Sequence, residues 1–232
     1  ELTREIVNAL QIRLTAQEER RLERRHAVGV EAYGLFLQGR EQVWLHTRPG
    51  NLLARDLLGR ALALEPVYPA AQALVAITHV IDYINGWGDN PEASLTIGRD
   101  LARAAVDQDP GEAQVHVASA IAALWQGDLD GSLAAAERCI ALQPSSTDCR
   151  RTQAGALIYM GRPREALATI EAYMRFDPVY PEITLHFQAE ALFLLGDYPA
   201  VERILRIRLE RNPDAVTAYE LLAASLGLMG RT

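Results

Sequence analysis

The chain has 232 residues, 49% of them hydrophobic and 23% charged, a globular balance that argues against a disordered chain and suits one large domain or an extended array. Its formal net charge of -7 argues against a broad nucleic-acid surface, which needs a basic face to displace counterions from phosphates. No run of about 18 apolar residues occurs, so no membrane-spanning helix and no direct membrane insertion is expected.

The first segment, ELTREIVNALQIRL, sets Leu2, Ile6, Ala9, Leu10 and Arg13 at helical spacing. TAQE (15–18) reads as a capping box in which the Thr15 side chain accepts from the amide of Glu18. Two short amphipathic helices are therefore predicted over 1–28, ahead of a separate unit over 29–232. The start lacks the basic and apolar regions of a signal peptide and does not begin with Met, so we expect a piece of a longer protein whose upstream domain the first helices would join. The basic clusters RRLERR (20–25) and RILRIRLER (203–211) are interleaved with Glu and read as solvated helix faces.

From residue 29 onward prolines mark a beat. Pro66, Pro110, Pro144, Pro178 and Pro213 each follow a helical run, at intervals of 44, 34, 34 and 35 residues. Proline lacks the N–H a helix interior needs and pushes the preceding residue out of helical geometry, so each one closes a helix. Gly127, Gly161 and Gly196 break the intervals near their middles, giving two helices of about a dozen residues per period. Small residues recur where the two helices must approach: Ala120 and Ala154 in first helices, Ser132 and Ala166 early in second helices, Ala105 and Ala136 further along. The ten extra residues between Pro66 and Pro110 are assigned to a loop over 85–94, and HTRPGN (46–51) to the turn of an irregular first repeat. The last segment, VTAYELLAASLGLMGRT (216–232), supplies one further first helix, with Leu222 and Leu226 partly bare unless a partner or further chain covers them.

Signatures of chemistry are absent. All 23 basic residues are Arg, so no lysine can form a Schiff base or cradle a phosphate. The histidines His26, His46, His79, His116 and His186 show no metal-ligand spacing, and HExxH, a glycine-rich phosphate loop and a GxSxG elbow do not occur. No cofactor and no metal is expected, and the fragment reads as non-catalytic. Cys139 and Cys149 flank the turn ALQPSSTD; two buried thiols are the favoured reading and a disulfide the alternative.

The 34-residue pattern of small and large residues resembles the tetratricopeptide repeat, most closely over 113–213. That resemblance implies an all-α right-handed superhelix, an α-solenoid of five repeats plus a terminal helix, with first helices lining a concave groove. Superposed repeats then align Ile81, Trp125, Tyr159 and Phe193, with Leu228 at the end, as a ladder along the groove. The same register nominates Gln114, Val117 and Ile121, then Asp148, Arg151 and Gly155, then Glu182, Leu185 and Ala189. A neighbouring stripe of Val80, Leu124, Ile158 and Leu192 reads as packing or groove lining. An apolar or amphipathic protein segment is the expected partner, because the Lys and Asn clamp that some such arrays use for C-terminal carboxylates is missing.

LTREIVNALQIRLTAQEERRLERR, EAYGLFLQGRE and YINGW, together with the repeats, resemble the C-terminal half of bacterial multidomain adenylate or guanylate cyclases that carry tetratricopeptide repeats behind a TolB-like segment. The resemblance implies a regulatory or scaffolding role in signalling. A small-ligand or peptide sensor with a closed groove walled by Trp125, Tyr159 and the insertion around Trp87, and a homodimerisation unit for an upstream cyclase or DNA-binding domain, are the alternatives. A cytoplasmic location is expected, or a periplasmic one if a transmembrane segment precedes the repeats.

Overall fold

A computed structural model describes residues 28–177 and 179–231; the amphipathic pair expected over 1–28, with its capping box and its RRLERR cluster, lies outside them apart from Val28. Five helical hairpins follow one another: α1 (Val30–Val43) with α2 (Arg48–Leu64), α3 (Pro69–Asn85) with α4 (Pro91–Gln108), and α5 (Ala113–Trp125) with α6 (Leu129–Leu142). Then come α7 (Thr147–Tyr159) with α8 (Pro163–Phe176), α9 (Ile183–Leu194) with α10 (Tyr198–Arg211), and a single closing helix α11 (Val216–Leu228).

The punctuation read from the sequence is what stops these helices. Each second helix ends two residues before one of the five marking prolines. Each first helix from α3 onward is followed by a glycine in the left-handed region, Gly86, Gly127, Gly161, Gly196 and Gly230, with φ between 61° and 81°. Glycine takes that conformation without the Cβ clash other residues meet, so the chain reverses within a few residues. The next helix begins under a side-chain cap: the carboxylates of Asp128 and Asp197 accept from the amides of Gly131 and Ala200.

Small residues then let the hairpins close. Ala105, Ala120, Ser132, Ala136, Ala154 and Ala166 are all fully buried, and the Ser132 hydroxyl donates to the Ala120 carbonyl at 2.8 Å across the α5–α6 pair. A Cβ at Gly98 of α4 would lie 2.8 Å from the Val80 side chain and 3.0 Å from the Ala76 carbonyl of α3, so only glycine fits there. One apolar cluster runs from Phe36 through Leu58, Leu74, Ile77 and Val115 to Cys149, and two smaller ones continue it to Leu222. Full burial of each large aliphatic side chain contributes about 1.5–3 kcal/mol.

Two details differ from the sequence reading. The extra residues of the second repeat do not form a long loop: α3 and α4 are longer, at 17 and 18 residues, and only Gly86–Asn90 separates them. HTRPGN is not wholly a turn either, since Arg48 to Asn51 already form the first turn of α2 under a Thr47 cap. Asn51 is buried because it donates to the Thr78 carbonyl at 2.9 Å and to Asp82 at 2.6 Å, while Arg55 pairs with the same carboxylate at 2.7 Å.

Among the described residues, first helices of successive repeats touch one another directly and second helices do not. First helices therefore form the inner layer of a curved stack, and the second helices fan outward.

Candidate functional site

The first turns of the inner helices face a cavity of about 460 Å³. Tyr33, Phe36 and Arg40 of α1 form one wall. Tyr68 and Pro69 at the start of α3, Gln114 and Val117 of α5, and Asp148 and Cys149 of α7 form the other. Phe36 packs on Tyr68 with ring centroids 5.1 Å apart. Glu65, Asp109, Glu112 and Asp148 give the lining four carboxylates against Arg40, and three of them also serve the backbone: Glu65 accepts from Gly29, Asp109 from Gly111 and Glu112 from Gln114. A mixed aromatic and acidic lining of this kind suits an amphipathic ligand with a positive group.

A separate contact joins the turn after α1 to α7. Four residues beyond Arg40, Trp44 lies beneath the guanidinium of Arg151, 4.1 Å from carbon to ring centroid. Arg151 in turn pairs with Asp148 at 3.0 Å and is almost wholly buried. A cation over an indole face, held by a carboxylate behind it, joins the first repeat to the fourth.

At the other end of the inner helices lies an aromatic ladder. Tyr83 meets Trp125 at 6.1 Å and Trp125 meets Tyr159 at 5.9 Å, both edge to face, so each ring supports the next. Tyr159 is 46% exposed, and burial of its hydroxyl end, helped by Glu190, pushes its pKa up to about 12.

The residues singled out from the sequence fall into three groups. Gln114 and Val117 line the cavity, Val117 also being a core residue at 1% exposure, and Arg151 stacks on Trp44 outside that lining. Trp125 and Tyr159 form the ladder, and Ile121 is half-buried against the main core. Ile81, Leu185 and Ala189 are corrections: at 3%, 3% and 0% exposure they are core residues, because the inner layer packs its own side chains between neighbouring helices before any face outward. Phe193 is also displaced. The interval between Gly161 and Gly196 is 35 residues, so counting 34 from Tyr159 lands one position short; Phe193 packs edge to face on Tyr198 of α10, and Leu194, 53% exposed, stands where Tyr159 stands in its own repeat.

Two participants were not read from the sequence. Tyr83 takes the rung expected of Ile81 because α3 runs longer than α5. Trp44 occupies in the first repeat the position Trp125 holds in the third, two residues before the left-handed turn residue, and counting back from His46 finds it. The cysteines also correct the favoured reading: Cys139 and Cys149 form a disulfide, Cα atoms 5.5 Å apart, that pins the α6–α7 turn at the cavity wall. His116 bonds the Pro110 carbonyl at 2.9 Å and so fastens a turn. Among the described residues no group of three or more His, Cys, Asp or Glu converges to hold a metal ion.

Paired helices at a 34-residue period, small residues at the hairpin contacts and an inner layer of first helices define a tetratricopeptide-repeat α-solenoid. Solved structures agree on that fold. A thermophilic TPR protein of Thermus thermophilus superposes with a TM-score of 0.61 at 16% identity, covering 84% of this chain and 98% of that one. Pseudomonas aeruginosa pilF superposes at 0.52 and 15% identity, covering 85% and 86%. By sequence, a Rhizobium meliloti (strain 1021) protein named "Putative adenylate cyclase 3" is 39% identical over 130 residues, 56% of this chain. The match spans 22% of that relative's length. No family model matches the chain. Among the described residues no helix is long and apolar enough to cross a membrane.

Proposed function

We propose that this chain is a protein-interaction module that binds a segment of a partner protein on its inner face, without catalysis of its own, and that it is the regulatory part of a nucleotide cyclase-like signalling protein. The observation that carries the binding reading is the pairing, on one concave layer, of a 460 Å³ cavity with an exposed-edged aromatic ladder. Rigid rings with a polar tip are the side chains that most often anchor partner segments. The cyclase context is supported by the similarity to the Rhizobium meliloti relative, whose remaining length would hold the catalytic part.

The test compares capture by the wild-type chain with capture by a Trp125→Ala, Tyr159→Ala double variant and by Gln114→Ala, using lysate of the source cell. We expect a partner whose capture drops tenfold or more in at least one variant while circular dichroism shows unchanged helicity, a loss of about 1.4 kcal/mol or more. Equal recovery of every protein by all three chains defeats the reading.

The disulfide favours one refinement of location. Disulfides persist in oxidising compartments and are rare in reducing cytosol, so we place the array on the oxidising side of a bacterial membrane. Cells lysed into acid and alkylated before reduction should yield protein with neither Cys139 nor Cys149 labelled; full labelling of both would return the array to the cytoplasm.

A further inference from the structure

The turn between α1 and α2 breaks the rule its counterparts obey. Where the later first helices are followed by left-handed glycines, the first repeat carries His46 at φ 51°, the one non-glycine among the described residues with positive φ. A side chain persists there only when its surroundings over-determine it, and such outliers gather at functional places.

The surroundings of this turn are unusual in a second way. Four buried polar atoms around it lack hydrogen-bond partners: Trp44 Nε1 and His46 Nε2 from the turn, His186 Nδ1 and Glu190 Oε2 from α9. Buried polar groups are ordinarily satisfied, so a cluster of orphans marks a contact held by something other than its own hydrogen bonds. Here that something is the Trp44–Arg151 stack and the packing of Trp44 against the main core.

We propose that the α1–α2 turn is an acid-released latch: with His46 and His186 uncharged it seats Trp44 on Arg151 and ties the first repeat to the fourth, and protonation of the imidazoles lifts it away. The inference goes beyond the binding reading and does not depend on what occupies the cavity.

The charges facing the turn explain why protons act on it. Arg151, with Asp148, presents from α7; Arg208 presents from α10, paired with Glu182 before α9; His186 and Glu190 present from α9, 3.5 Å apart. Burial first, then Arg151 and Arg208, holds His46 down at about 3 from an ordinary 6.5. Burial, then Arg208 and His46, brings His186 to about 3. Burial pushes Glu190 up to about 7 from an ordinary 4.5, with Arg208 opposing.

Both imidazoles are thus neutral when the turn is seated and take up protons when it lifts. Their contribution to closure is complete above about pH 6.5 and is lost as pH falls from there toward 3. Glu190 acts the other way: its seated carboxyl keeps a proton that a freed one gives up above about 4.5, so its contribution is lost as pH rises through 7. Two imidazoles outnumber one carboxyl, and between about 4.5 and 6.5 lifting takes up protons on balance.

The chain has three tryptophans, Trp44, Trp87 and Trp125, so fluorine NMR of 5-fluorotryptophan-labelled full chain reads the latch directly, with Trp44→Phe assigning its line. From about pH 7.5 to about pH 5 the Trp44 line should move toward the value of free fluorotryptophan while the Trp87 and Trp125 lines stay in place and helicity is kept. His46→Asn, which tolerates the left-handed conformation and does not titrate, should remove at least half of that movement. A stationary Trp44 line, or an equal movement in His46→Asn, overturns the proposal. If that variant does not fold, the wild-type imidazole signals decide: His46 titrating near its ordinary 6.5 while Trp44 stays seated overturns the latch, and His46 titrating together with the Trp44 movement supports it.

Discussion

Arg208→Ala is expected to cost about 3–5 kcal/mol and to unfold the last repeat before the rest of the array, as breaking a buried ion pair from one side does. Arg208 has a side chain only 3% exposed, and its Nε donates to the Glu182 carboxylate that opens α9. A second guanidinium nitrogen donates to Thr217 of α11 at 3.2 Å, and Asn212 donates to the other Glu182 oxygen at 2.9 Å. One residue of α10 therefore fastens the beginning of α9 and the beginning of α11 together. Removing it leaves a carboxylate in a nearly closed site with Asn212 alone to answer it. Arg208→Lys keeps the charge but not the two-sided fork, and should recover part of the loss. Hydrogen exchange followed helix by helix is the suitable readout, because a solenoid loses its terminal units independently. Protection lost in α9 to α11 with α3 and α4 unchanged is the expected pattern; a loss below about 1 kcal/mol, or one spread evenly, would show that the pair is dispensable.

Reduction of the Cys139–Cys149 bond, or its removal as Cys139→Ala, Cys149→Ala, should destabilise the middle of the array by about 2–3 kcal/mol, the value for closing a loop of this short span. The bond ties the last turn of α6 to the first turn of α7, and both cysteines lie on the cavity wall. Its loss should therefore reach binding as well as stability. Thermal melts with and without reductant give the first effect, and the double variant, insensitive to reductant, is the control. Equal melting of oxidised and reduced protein would mean that packing of two buried thiols holds the turn as firmly as the bond does.

The periodic part of the molecule was legible because its signals are local. A proline that cannot donate, a glycine that alone sits easily at positive φ and an alanine at each helix contact act within a few residues, so Pro144, Gly161 and Ala154 announce their roles in any context. The candidate site was half legible. Trp125 and Tyr159 stand where the repeat places them, whereas Phe193 was lost to a single added residue, which turns a helix position by about 100°. Ile81, Leu185 and Ala189 have the right register but lie on the packed side, and register alone does not separate packed from open positions on an inner helix. The Trp44–Arg151 contact lay beyond any local reading, since it joins residues more than a hundred positions apart through the curvature accumulated over three repeats. Its local trace was His46, the one histidine in a slot that elsewhere holds glycine.

That contact alters the mechanics of the whole stack. An open solenoid behaves as a spring, each joint between neighbours yielding by a small rotation with no regard to the others. A tether from the first repeat to the fourth fixes the sum of the rotations between them, so a twist taken up at one joint has to be returned at another. Force applied at α1 is then shared by α3, α5 and α7 together, and the seating of the α1–α2 turn beside His186 carries the constraint on to α9, leaving α11 the compliance of a free spring end.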